Sequence, residues 1–173
     1  MNNYLDITKT YDDEKIKEFS NIIKNGGIGI FPTETVYAIG GNGLDASSVE
    51  KIYNAKNRNK KNPINLLVNS IEMVETVAKD ISPIEYKLME TFFPGPFTII
   101  LKKKDIVPNI VTAGSNYVGV RMSSSEIVNK LIDYAKVPIA APSANISGRL
   151  SGTNLKDIYN DFSDKVDFMI DGR

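Results

Sequence analysis

Between Thr33 and Tyr37, in the stretch "FPTETVYAIG", three hydroxyl side chains and one carboxylate follow the proline that ends an apolar run. Small polar groups gathered where a buried strand stops are placed to touch a ligand, because binding groups concentrate in loops held by rigid elements. Three further segments share this character. "AKNRNKKNP", Ala55 to Pro63, follows a helical pattern with basic groups that could hold phosphates, Arg as a planar fork and Lys as a point charge. "YVGVRM", Tyr117 to Met122, carries Arg121 near the end of an otherwise apolar strand, where a guanidinium needs an anion. "APSANISGRLSGT", Ala141 to Thr153, is a loop rich in Ser, Asn, Gly and Thr that can offer amides and hydroxyls to phosphate or carboxylate oxygens. Each also has a plainer reading: a polar turn, a solvated helix C-terminus, an arginine paired with a structural carboxylate, an ordinary loop.

What the chain lacks narrows the chemistry. Its 173 residues include no cysteine and no histidine, so disulfides, thiolates and imidazole bases or ligands are excluded. Neither a Walker-type phosphate loop nor a dinucleotide glycine fingerprint is present. Lys plus Arg number 21 against 21 Asp plus Glu, which argues against a protein that coats nucleic acid indiscriminately. Local basic clusters remain at "KNRNKK" and "KKK" (Lys102 to Lys104). No apolar run is long enough for a membrane span, and the N-terminus has no signal-like core, so a cytoplasmic protein without membrane contact is expected.

The elements that must position these segments follow from periodicity. Ile16, Phe19, Ile22 and Ile23 mark one face of a helix over residues 12–25, capped by Asp12. A second helix follows Asp45, and a third opens at the capping box Ser82-Pro83-Ile84-Glu85. Two more are predicted at 124–135 and 154–161, and strands at "GIGIF", "INLLV", "FTIILK", "YVGVRM", "VPIAAP" and "VDFMI". Strands alternating with helices predict one α/β domain over 1–173 with a mixed sheet.

Taken together and in order, the segments resemble the YrdC family of threonylcarbamoyl-AMP synthases. The family's usual patterns "PT(E/D)TVYGLG", "K.R....PL", "WPGPLT", "VAVR.P" and "APSAN.SG.PSPT" stand here as "PTETVYAIG", "KNRNKKNPI", "FPGPFT", "VGVRM" and "APSANISGRLSGT". The likeness runs from about Gly26 to Arg173. It implies a twisted, YrdC-like mixed β-sheet flanked by helices, with a concave, positively lined cavity. The implied reaction joins L-threonine, bicarbonate and ATP, the last accompanied by a magnesium ion, to give threonylcarbamoyl-AMP and pyrophosphate. A tRNA-modifying threonylcarbamoyl transferase complex would act downstream, and a tRNA contact is a further implied partner.

By motif position the resemblance implies L-threonine contacts at Thr35, Leu67, Arg121 and Ala141. It implies ATP contacts at Lys56, Arg58, Asn62, Ser143, Asn145 and Ser151, with Thr33 and Tyr37 shaping the pocket. No covalent catalyst and no protein-held metal are implied. Ala38 stands where the family has glycine, a change tolerated unless the position needs positive φ. Leu67 stands where many members have histidine. Members usually continue past "DGG" with a further serine and arginine at the site, so a longer native chain is expected. Two other readings are an RNA-binding module without synthase activity and a carbamoyl-transfer domain of the hydrogenase-maturation type. The second belongs to long chains with cysteine-rich zinc segments, and this chain has no cysteine.

Overall fold

The computed structural model describes residues 3–150 and 154–172. Its helices begin where the capping chemistry says they should. Helix α1 (Asp13–Lys24) starts at Asp12, whose carboxylate accepts the Lys15 amide at 3.2 Å. Helix α2 (Ala46–Lys56) starts at Asp45 and ends at Asn57, a left-handed residue with φ of 51°. Helix α3 spans Ile71–Val77 after the Ser70 cap. Helix α4 (Pro83–Phe92) carries the complete capping box, with both reciprocal bonds between Ser82 and Glu85. Helix α5 (Glu126–Ala135) is capped by Ser125, and α6 (Leu155–Phe162) by Asn154.

The strands are β1 (Tyr4–Asp6), β2 (Ile28–Pro32), β3 (Tyr37–Asn42), β4 (Leu66–Val68), β5 (Ala78–Lys79), β6 (Thr98–Lys103), β7 (Tyr117–Met122), β8 (Ile139–Ala140) and β9 (Phe168–Asp171). They form a nine-stranded sheet in the order β1-β9-β2-β3-β8-β4-β7-β6-β5. Pairs β1·β9, β2·β9 and β4·β7 are parallel and the other five are antiparallel. The expected mixed α/β sheet is therefore present. Strands β1, β3 and β5 and helix α3 go beyond the elements that periodicity predicts.

Alternation along the strands divides the core into two layers. Ile28, Ile30, Tyr37, Ile39, Leu66 and Val68 face one layer, with α2 and α6. Phe31, Ala38, Leu67, Phe168 and Ile170 face the other, against α1 and α5. In that second layer the Phe168 ring stacks on Phe19 with centroids 4.6 Å apart. The ring lies over Gly29, where an added Cβ would come within 2.2 Å of it. Gly29→Ala is therefore expected to overpack this layer and destabilise the fold by about 1–3 kcal/mol. A denaturant melt with an unchanged midpoint would show that the ring can move aside without loss.

Candidate functional site

Two connections meet around the start of β3. The first is the β2–β3 connection, residues 33–36, closed by the Thr33 hydroxyl donating to the Val36 carbonyl at 2.6 Å. The Thr35 amide donates to the Thr33 oxygen at 3.2 Å, and the two threonine hydroxyls lie 3.1 Å apart. Glu34 is thereby turned toward β7. Its two carboxylate oxygens accept from the Arg121 guanidinium and the Ser123 hydroxyl. Arg121 Nη2 also lies 3.4 Å from the Thr35 hydroxyl.

This meeting needs the sheet to curl. Strands β2 and β7 are separated by β3, β8 and β4 in the sheet order. In a flat sheet four strand spacings amount to about 19 Å. Yet the Ser125 hydroxyl, at the α5 cap, donates to the Pro32 carbonyl at 3.1 Å. Sheet twist and the inward fold of the 33–36 connection close the gap. Burial works against ionisation of Glu34, but the Ser123 and Arg121 hydrogen bonds outweigh it and hold the carboxyl below the usual glutamate range.

The second connection follows β8. Ser143 bridges Ala38 in antiparallel fashion, and the Ala144 amide donates to the Tyr37 carbonyl at 2.8 Å. Lys56, the last residue of α2, is only 1% exposed and reaches under this loop. Its ammonium donates to the Ser143 carbonyl, to the Asn145 carbonyl at 2.7 Å and to Asn145 Oδ1 at 3.3 Å. Burial, reinforced by the nearby Arg58 charge, brings the Lys56 pKa down to about 8. The Ser143 hydroxyl also donates to Asn145 Oδ1, and the Asn145 amide group donates to the Arg149 carbonyl at 2.9 Å.

The sequence-predicted residues thus fall into distinct settings. Thr33, Thr35 and Arg121 come together in the first cluster, and Ser143 and Asn145 form the loop beside it. Leu67 lies opposite Arg121 in register and is buried in the α5-side layer. Ala141 is half-buried, its amide donating to the Asn65 carbonyl at 3.2 Å. The Tyr37 hydroxyl donates to Asp171 at 2.8 Å, tying β3 to the end of β9. Arg58 turns onto its own loop, donating to the carbonyls of Asn62 at 3.2 Å and Pro63 at 2.9 Å. Asn62 also accepts from the Tyr53 hydroxyl at 2.7 Å. Lys56 does not present its ammonium to an open surface; it holds the 143–145 backbone. Ser151 lies outside the described residues. Ala38 sits in β3 without positive φ, so its methyl group is accommodated.

Glu34 and Ser123 also belong to the first cluster, and motif spacing alone did not mark them. The signal for Glu34 was available: an acid between two threonines, in a chain whose strand-borne arginine requires an anion. Both readings of Arg121 meet in this pair, since its carboxylate partner belongs to the same polar segment.

The fold and these two clusters define a mixed α/β domain with charged and hydroxyl groups gathered around the start of β3. Within that class the chain belongs to the Sua5–YciO–YrdC family, described as "Telomere recombination", which it matches over residues 21–173. It is 40% identical over 97% of its length to a threonylcarbamoyl-AMP synthase of Pyrococcus abyssi, spanning 49% of that protein. It is 34% identical over 98% of its length to the Bacillus subtilis protein of the same name, spanning 50% of it. The chain thus spans about half the length of these curated relatives. A crystal structure of P. abyssi Sua5 complexed with L-threonine superposes with a TM-score of 0.92 at 40% identity, covering 98% of this chain and 49% of that one.

Proposed function

We propose that this chain carries the synthase chemistry of its family: L-threonine, bicarbonate and ATP are joined into threonylcarbamoyl-AMP, with release of pyrophosphate. The observation that supports it best is the Arg121–Thr35 cluster in a chain this similar to a Sua5 solved with L-threonine. Arg121 takes the threonine carboxylate, and Thr35 contacts the same ligand. Leu67 and Ala141 bound that subsite. The amides and hydroxyls of the 143–149 loop, held from beneath by Lys56, receive the nucleotide, with Arg58 and Asn62 at its edge, and Ser151 is a further ATP contact in this reading.

The nucleophile is the carbamate oxygen of the N-carboxylated amino acid, which attacks the α-phosphorus as pyrophosphate leaves. That anion needs no strong protein base, so a chain without histidine suffices. What the protein contributes is alignment and stabilisation of charge. Among the described residues no cluster of three or more Asp, Glu, His or Cys side chains could hold a metal. A magnesium ion carried on the triphosphate would supply neutralisation of phosphate charge. The product would pass in the cytoplasm to a tRNA-modifying transferase complex, with tRNA contact a further part of this reading. Among the described residues no helix is long and apolar enough to cross a membrane.

Incubation with ATP, magnesium, bicarbonate and labelled threonine should yield threonylcarbamoyl-AMP and pyrophosphate. Threonine-independent ATP hydrolysis, or no binding of threonine at all, would count against the reading.

A further inference from the structure

An amino acid reaches the site as a zwitterion, and Arg121 accounts for only one of its charges. We propose that Glu34 is the specificity-determining residue for the α-amino group, so that Glu34 and Arg121, which pair with each other in this structure, together form a receptor for a zwitterion. This inference rests on the reading that the site takes L-threonine.

Four observations carry it. The two charges are already paired, with side-chain exposures of only 18% for Glu34 and 20% for Arg121. A ligand that takes one of them must therefore supply a new partner for the other. Glu34 is also held in place independently of Arg121. Its second oxygen accepts from Ser123, whose own oxygen accepts the Ser125 amide at 3.0 Å. The Ser123 carbonyl accepts from the Asn129 side chain at 3.2 Å, so this support is anchored to the first turn of α5. Next, Glu34 does not saturate the guanidinium. Arg121 Nε is buried and has no hydrogen-bond partner among the described residues. A ligand carboxylate lying along the Nε–Nη2 edge would satisfy that donor and displace Glu34 from Nη2. Finally, the Thr35 hydroxyl lies 3.4 Å from the same Nη2, so a ligand at this edge meets a hydroxyl that can bond its polar side chain.

The charge balance then decides which ligands fit. A zwitterion replaces the internal ion pair with two new pairs and leaves neither charge orphaned. A hydroxy acid or fatty acid of the same shape can bond Arg121 but leaves the Glu34 carboxylate, half out of water, without a cation. Once the amine has lost a proton and been carboxylated, its nitrogen retains one N–H. That N–H can still donate to Glu34, while like charge turns the new carboxylate away from it.

The test is calorimetric titration with L-threonine and with 3-hydroxybutyrate, which is threonine without its α-amino group. The unmodified chain should prefer threonine by about tenfold or more. Glu34→Gln should weaken threonine by about tenfold or more, while 3-hydroxybutyrate binds as well as before or better. Glu34→Asp keeps the charge and should keep the preference for threonine, at reduced affinity. An equal weakening of both ligands in Glu34→Gln would mean that Glu34 only positions Arg121, and the proposal falls. Unchanged threonine affinity overturns it equally, as does a Glu34→Asp chain with no preference. If the unmodified chain binds no threonine, the reading of the whole site fails first, and that result is seen before any variant is made.

Discussion

Replacing Arg121 with alanine is expected to lower kcat/KM for L-threonine by about a hundredfold or more, roughly 3 kcal/mol of lost transition-state binding. Two effects combine. On the proposed reading the substrate carboxylate loses its guanidinium, and Glu34 is left half-buried without its cation, holding the Ser123 hydroxyl bond. Truncating one member of such a pair includes the penalty of leaving the other charge unpaired. The same variant should change the acid limb of stability. Glu34 is held below the ordinary glutamate value of 4.5, so its stabilising contribution is present above that value and is lost as pH falls through the lower folded value. Arg121→Ala should flatten this acid dependence when unfolding is followed from neutral to acid pH. Turnover within about tenfold of the unmodified chain, or roughly 1.4 kcal/mol, would rule out the carboxylate role.

Lys56→Met is expected to weaken ATP binding by about tenfold or more and to lower stability by about 1–3 kcal/mol. Methionine keeps the apolar stem but removes three donated hydrogen bonds, leaving the Ser143 and Asn145 carbonyls without that cation. The loop that would face the nucleotide then loses its support. Burial offsets part of the loss, because it penalises the ammonium itself. That penalty has a pH signature. The folded pKa is about 8, against 10.5 for an ordinary lysine. Between these values the unfolded chain binds the proton and the folded chain does not, so stability from this group rises with pH across that window. The stability difference between the unmodified chain and Lys56→Met should therefore grow above pH 8. Equilibrium unfolding on either side of pH 8 measures it, and ATP titration of the same variant measures the loop. Unchanged ATP affinity would mean that the 143–149 conformation does not depend on the ammonium.

Much of the architecture was legible locally. Helices α1, α2 and α4 showed their caps and apolar spacing in the sequence, and α4 showed both halves of its capping box. Strand β3 did not. "YAIGGN" contains two glycines and an asparagine, residues depleted in strands. It is a strand because β2 and β8 supply its partners. Its glycines also have a packing reason: a Cβ on Gly40 would come within 2.7 Å of the Phe31 ring. Strands β1 and β5 have three and two residues, too few for any periodicity to register.

The polar segments themselves were readable as segments, since residue type and spacing suffice to mark a strand end rich in hydroxyls or a loop rich in amides. The absence of histidine and cysteine likewise restricted the chemistry before any fold was known. What the sequence could not reveal was which charge meets which. Glu34 and Arg121 are 87 positions apart, and Lys56 lies 87 and 89 positions from its acceptors in Ser143 and Asn145. Local propensity acts over a few residues and carries no record of such pairings. They arise when the sheet order and its curl bring the β2–β3 connection to the end of β7, and the end of α2 beneath the loop after β8. By itself, then, the sequence determined most of the elements and the kinds of groups available. Only the tertiary structure decided that the strand-borne arginine is answered by Glu34, and that Lys56 faces backbone rather than open space.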